Sequence, residues 1–163
     1  MRHWQPAYVG LGSNLDDPRA QIERALQALG SLPQALLIAA SPLYRTAPQG
    51  VTEQPEFVNA VAALLTTLPL REFSRHLLEL QARLGRGPDV QRWGPRRIDL
   101  DLLVFGRERC SEPDLVVPHP RLGERAFVLY PLCDVAPQLD VPGMGQAARL
   151  LARLPEQGVR RLS

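Results

Sequence analysis

The sequence predicts an α+β fold: a ferredoxin-like antiparallel sheet with a βαββαβ core, helices packed on the sheet, and extra helices towards the C-terminus. Two observations carry this. Four short runs of aliphatic, β-branched and aromatic residues alternate with two stretches of helical periodicity, in the order strand, helix, strand, strand, helix, strand. The second and third runs are separated only by a turn-rich segment, which pairs them antiparallel, sets the helices on one face of the sheet and leaves the other open to a ligand.

The first strand covers Ala7 to Gly12 and leads into Ser13-Asn14-Leu15-Asp16-Asp17-Pro18. This reads as a turn into a helix, with Asp17 as N-cap and Pro18 at the first helical position, where its missing N–H loses no bond. Ile22, Ala25, Leu26 and Leu29 recur at helical spacing, and Gly30 stops the helix. Gly10-Leu11-Gly12 is no dinucleotide fingerprint, because the third glycine is missing and Asp16 and Asp17 repel a pyrophosphate. Leu36 to Tyr44 is the second strand, with Pro42 near its end or at a bulge. Arg45 to Pro55 is a long loop of the kind that tends to carry function. In the third strand, Phe57 to Leu65, the amide of Asn59 must find partners, either backbone groups or the ring nitrogens of a ligand. The second helix opens at Pro69, turns Leu70, Phe73, Leu77, Leu80 and Leu84 inward with His76 and Glu79 on its solvated side, and stops at Gly85.

Residues 85–97 hold three glycines, two prolines and four arginines without an apolar period. That describes a mobile basic loop, although Trp93 needs a surface to pack on. The loop delivers the chain to a fourth strand, Ile98 to Phe105. Side chains alternate along a strand, so Asp99, Asp101, Leu103 and Phe105 are expected on one face, and Ile98, Leu100, Leu102 and Val104 on the other. Two residues span roughly 6.6 Å, so the two carboxylates can lean together around one divalent cation or a pair. Mg²⁺ takes oxygen ligands and borrows the rest from substrate phosphates, for which the upstream arginines are bidentate donors. On spacing alone, an Asp pair emerging into water and neutralised by those arginines explains the pattern equally well. Further on, Leu115 to Pro120 is extended, with prolines stiffening the backbone around His119. Residues 126–133 read as a helical run interrupted by Pro131, Gly145 to Leu154 as a last peripheral helix, and Glu156 to Ser163 as a frayed end.

At 163 residues the chain is read as a single domain, its core about 7–142 and its C-terminal helix and tail 143–163. No apolar run approaches the roughly 20 residues of a membrane span. Residues 1–6 lack the apolar core of a secretion signal, so no membrane association and a cytoplasmic location are expected. Cys110 and Cys133 have no metal-ligand spacing. The net charge of +2 is too small for a nucleic-acid coat, and all nineteen basic residues are Arg. The absence of Lys excludes a Walker A lysine and a Schiff base, leaving Arg, backbone amides and metal to meet any phosphate.

Several motifs occur in unbroken order over about residues 7–142: Gly12-Ser13-Asn14, Tyr44-Arg45-Thr46, Gln54-Pro55-Glu56-Phe57-Val58-Asn59, Leu84-Gly85-Arg86, Arg92-Trp93-Gly94-Pro95-Arg96 with Asp99-Leu100-Asp101, and Pro118-His119-Pro120 with Arg125-Ala126-Phe127. Together they resemble 6-hydroxymethyl-7,8-dihydropterin pyrophosphokinases of folate biosynthesis, the block from Arg92 to Asp101 being the most specific. The resemblance implies transfer of the diphosphate of ATP to the pterin hydroxymethyl oxygen, with release of AMP. It implies Asp99 and Asp101 as ligands of two Mg²⁺ ions, and Arg86 and Arg96 beside them as catalytic residues. ATP is then met by Arg86, Arg96, Leu102, His119 and Arg125. The pterin is met by Thr46, Ala47, Pro48 and Gln49 on the loop, by Asn59 at its edge, and by the aromatic faces of Phe57, Trp93 and Phe127. The implied partners are these two small molecules, with no nucleic acid and a monomeric chain. Phe57 stands where the family often has Tyr, Pro88 in the place of a second loop arginine, Gln81 in that of a Glu, and Ala47 and Gln49 replace commoner loop residues.

Two rival functions have distinct signatures. A ferredoxin-like RNA-binding module suits an open sheet face and a basic loop, but the two carboxylates repel phosphate and no aromatic-rich ribonucleoprotein motif is present. Another Mg²⁺-dependent nucleotide phosphotransferase, such as a γ-phosphoryl kinase, would release ADP rather than AMP.

Overall fold

The computed structural model describes residues 3–15, 17–46, 56–85 and 98–162. These form a mixed α/β fold built on an antiparallel sheet. In chain order the elements are β1 (Gln5–Ser13), α1 (Pro18–Leu29), β2 (Ala35–Ala40), β3 (Tyr44–Thr46), β4 (Phe57–Thr66), α2 (Leu70–Gly85) and β5 (Asp99–Phe105). A hairpin of β6 (Cys110–Glu112) and β7 (Leu115–Val117) follows, then α3 (Ala126–Val135). After these come a small hairpin of β8 (Asp140–Val141) and β9 (Gly145–Gln146), α4 (Ala147–Ala152), and β10 (Val159–Arg161). The main sheet runs β10-β3-β4-β1-β5, with β2 beside β4, and every pairing is antiparallel.

The amphipathic faces of α1 and α2 cover one side of this sheet. Ile22, Ala25, Leu29, Phe73, Leu77 and Leu80 bury against Ala7, Val9 and Leu11 of β1 and the alternate residues of β4 and β5. The Asp17 carboxylate caps α1 by accepting the Ala20 N–H at 3.4 Å. The other side is not wholly open, because α3 and α4 lie over part of it. There Leu122, Leu129, Leu132 and Ala147 form a second core with Val61, Leu103 and Val104.

Several elements differ from expectation for identifiable reasons. Residues 36–44 are two strands, since Pro42 has no N–H for the ladder. Ser41 spans the break, donating its N–H to the Val61 carbonyl and accepting the Val61 N–H on Oγ, each at 2.9 Å. The β1–β5 pairing shifts between Tyr8 and Val9, so β5 carries an extra residue. This bulge reverses the alternation: Leu103 and Val104 both join the second core, while Phe105 crosses to the first and meets Phe73 at 5.7 Å between ring centroids. Pro131 does not interrupt its helix, being buried inside α3. Gly145 and Gln146 form a strand before α4 rather than its first turn. The tail, expected to fray, is an ordered strand that gives β3 its outer neighbour.

Candidate active site

Across the centre of the sheet, one row of residues runs through four strands: Tyr44 of β3, Asn59 of β4, Gly12 of β1 and Asp99 of β5. One step along, Gly10 stands opposite Asp101. Asn59, Gly12, Asp99, Gly10 and Asp101 line a cavity of about 550 Å³, walled on the far side by His119, Arg121, Arg125 and Phe127. The two glycines make its floor. A Cβ on Gly12 would come within 2.8 Å of Asn59 Oδ1, so only glycine lets that amide lie over the strand. A Cβ on Gly10 would meet the Leu103 side chain at 3.4 Å.

Of the two carboxylates, Asp101 is exposed and Asp99 half-buried, and both line the cavity. No cluster of three or more His, Cys, Asp or Glu side chains able to hold a metal occurs among the described residues. Two carboxylate donors without a third suit a hard cation that completes its shell with water and phosphate oxygens, as Mg²⁺ does, and do not suit a structural zinc.

His119 is placed by its backbone, whose N–H donates to the Leu103 carbonyl at 2.9 Å. Its Nδ1 accepts the Arg121 N–H at 3.2 Å, which puts the proton of the neutral ring on Nε2. Burial pushes its pKa below the ordinary 6.5; Asp101 pulls it back up, and Arg125 and Arg121 push it further down. The ring is therefore a neutral donor at physiological pH. Arg125 stands with its guanidinium carbon 5.6 Å from the Phe127 ring centroid, within cation–π range. Burial and Arg121 lower its pKa while Asp101 and Glu124 raise it, and a guanidinium stays charged regardless. On the opposite wall Thr46 is buried, and its Oγ1 has no hydrogen-bond partner among the described residues.

The structure thus brings together Asp99, Asp101, His119, Arg125, Thr46, Phe57, Asn59 and Phe127. Leu102 is the exception among the described candidates, packing against the helix-side core rather than lining the cavity. Arg86, Trp93, Arg96, Ala47, Pro48 and Gln49 lie outside the described residues. Sequence reasoning missed Gly10, Gly12, Arg121 and Gln157 as lining residues. Glycines at alternate positions of a strand were a usable signal for a cleared face; Gln157 had none. Asn14 is buried with both amide atoms unpaired, yet it does not line the cavity.

The family model described as 7,8-dihydro-6-hydroxymethylpterin-pyrophosphokinase matches residues 8–137. The chain belongs to that family. A 2-amino-4-hydroxy-6-hydroxymethyldihydropteridine pyrophosphokinase of Pseudomonas aeruginosa is 48% identical over 158 residues, 97% of each chain. The Bacillus subtilis protein of the same name is 37% identical over 134 residues, 82% of this chain and 80% of that one. Folic acid synthesis protein fol1 of Schizosaccharomyces pombe is 35% identical over 94% of this chain, which spans only 21% of its length. Among solved structures, wild-type Plasmodium falciparum HPPK-DHPS superposes with a TM-score of 0.71 at 12% identity, over 94% of this chain and 45% of that one. That likeness speaks to the fold alone. The cavity joins two carboxylates, arginine side chains and aromatic faces in one concave surface.

Proposed function

We propose that this cavity is where the diphosphate of ATP passes to the hydroxymethyl oxygen of 6-hydroxymethyl-7,8-dihydropterin, AMP being released, on a sheet whose strand order corresponds to a ferredoxin-like βαββαβ core. The reaction itself, pyrophosphoryl transfer in folate biosynthesis, is that of the family and its named relatives. One observation carries the site assignment: the shared register row sets Asn59 and Asp99 on either side of a bare Gly12, so a flat ring at the amide has its substituent near the carboxylates.

In this reading Asn59 and the unpaired Thr46 hydroxyl bond the pterin edge, while Phe57 and Phe127 face its ring. Arg125 and the Nε2 proton of His119 bind the nucleotide on the far wall. Asp99 and Asp101 hold two Mg²⁺ ions, whose chemistry is to neutralise phosphate charge and align attacking and leaving oxygens. With Phe127 carrying Arg125 above it, the nucleotide and pterin sides of the cavity meet along one wall. Arg86, Arg96 and Trp93 complete the proposal from the segment before β5, and Ala47, Pro48 and Gln49 from the loop after β3. The rival RNA module is not favoured, because the cleared sheet face is concave and carries two carboxylates.

Incubation with ATP, Mg²⁺ and 6-hydroxymethyl-7,8-dihydropterin, followed by nucleotide analysis, tests this directly. AMP appearing in step with pterin diphosphate is expected; ADP, or no Mg²⁺ requirement, would overturn it.

A further inference from the structure

Gln157 lies beyond residues 8–137, the stretch the family model matches, yet it lines the cavity. Its amide forms a two-pronged clamp. Oε1 accepts the Ala126 N–H at 2.9 Å, and Nε2 donates to the Glu124 carbonyl at 3.0 Å. Those two groups flank Arg125, so the clamp grips the backbone on both sides of a single residue. The site needs such a grip: Arg125 is the N-cap of α3, its side chain makes no capping bond, and the first N–H groups of a helix otherwise lack partners. Gln157 supplies the missing acceptor from 31 positions further along the chain.

The clamp is itself anchored to the opposite wall. Just after Gln157, the Gly158 N–H donates to Glu156 Oε1 at 2.7 Å, and β10 then pairs Val159 with Thr46 and Arg161 with Tyr44. The Leu162 N–H closes the strap on the Leu43 carbonyl at 2.8 Å. The tail therefore joins the β3 wall, with Thr46, to the α3 wall, with Arg125 and Phe127.

We infer that Gln157 is a positioning residue for Arg125, holding the backbone from which its guanidinium stands over Phe127 and reaches an anionic ligand. This rests on the assignment of Arg125 to the nucleotide. A carboxamide is suited to the task because it donates and accepts at once and adds no charge beside the phosphates. A purely stabilising tail would instead affect melting without affecting the ligand.

A double-mutant cycle separates these cases. Binding of the Mg²⁺ complex of a non-hydrolysable ATP analogue is measured by calorimetry for wild type, Arg125→Ala, Gln157→Leu and the double variant, alongside their melting temperatures. Each single variant is expected to bind about tenfold more weakly, and the double variant no more weakly than Arg125→Ala alone, since the clamp acts through that side chain. Should Gln157→Leu fail to fold, Gln157→Asn, which withdraws both prongs by one methylene without adding charge, takes its place in the cycle. Losses that multiply, or a Gln157 variant that melts earlier but binds as wild type, would overturn the inference while leaving the site assignment standing. If Arg125→Ala binds as tightly as wild type, the nucleotide assignment falls and the inference with it.

Discussion

The two faces of the same three strands have opposite characters. On β1, Ala7, Val9 and Leu11 are buried under α1 and α2, while the interleaved Gly10 and Gly12 carry no side chain and floor the cavity. On β4, Ala60, Ala62 and Leu64 join the helix-side core, whereas Asn59 faces the cavity. A pleated strand puts successive residues on opposite faces, so one segment can supply adhesion and chemistry in alternate letters. The cavity face holds two carboxylates and the Thr46 hydroxyl, which has no partner among the described residues, and the packed face behind it supplies its rigidity.

Substitutions should therefore divide by face. Asp99→Ala or Asp101→Ala is expected to abolish turnover, because several kcal/mol of transition-state charge stabilisation depends on a bound cation. For Asp101→Ala the melting temperature should hold level or rise as carboxylate repulsion is relieved; near-normal Mg²⁺-dependent AMP release from either variant would break the division. From the other face, Phe73→Ala removes a fully buried ring packed on Phe105 and should cost about 3 to 5 kcal/mol of stability by denaturant titration. Pterin affinity of the fraction still folded should be unchanged.

Asn59→Ala and Gly12→Ala sharpen the comparison, one removing the amide and the other displacing it with a methyl. Each should weaken pterin binding by roughly 1 to 3 kcal/mol, with far less effect on nucleotide. Equal losses for both ligands in calorimetry would assign Asn59 a structural role instead. The smallest effect concerns His119. Its folded pKa lies below 6.5, so between that value and 6.5 the unfolded chain binds a proton that the folded chain refuses. Stability should fall as pH drops through this window and level off below it, and His119→Gln should lack this component in melts from neutral to acid pH.

Local signals reported local features faithfully. Asp17 and Pro18 began α1, Gly30 ended it, and the Asp99–Asp101 spacing put both carboxylates on the cavity side. What stayed hidden depends on partners distant in sequence. The crossing of Phe105 to the helix side requires a bulge against β1, and nothing in the residues of β5 announces one. Ser41 substitutes for a ladder residue only because Val61 lies beside it. Gln157 sits among charged and small residues with no periodicity, and its importance appears only when β10 finds β3.

The pairing of Val159 with Thr46 also bears on how the molecule comes into being. During synthesis β3 emerges long before β10, and closing so large a loop is slow compared with forming local contacts. Throughout that interval β3 exposes the outer edge of the sheet, the kind of edge to which other chains add. A nascent chain can thus possess the carboxylates, glycine floor and helix-side core while both flanks of its binding cleft are still unsecured. Ligand affinity should then be among the last properties the chain acquires, arriving with the strap rather than with the bulk of the fold.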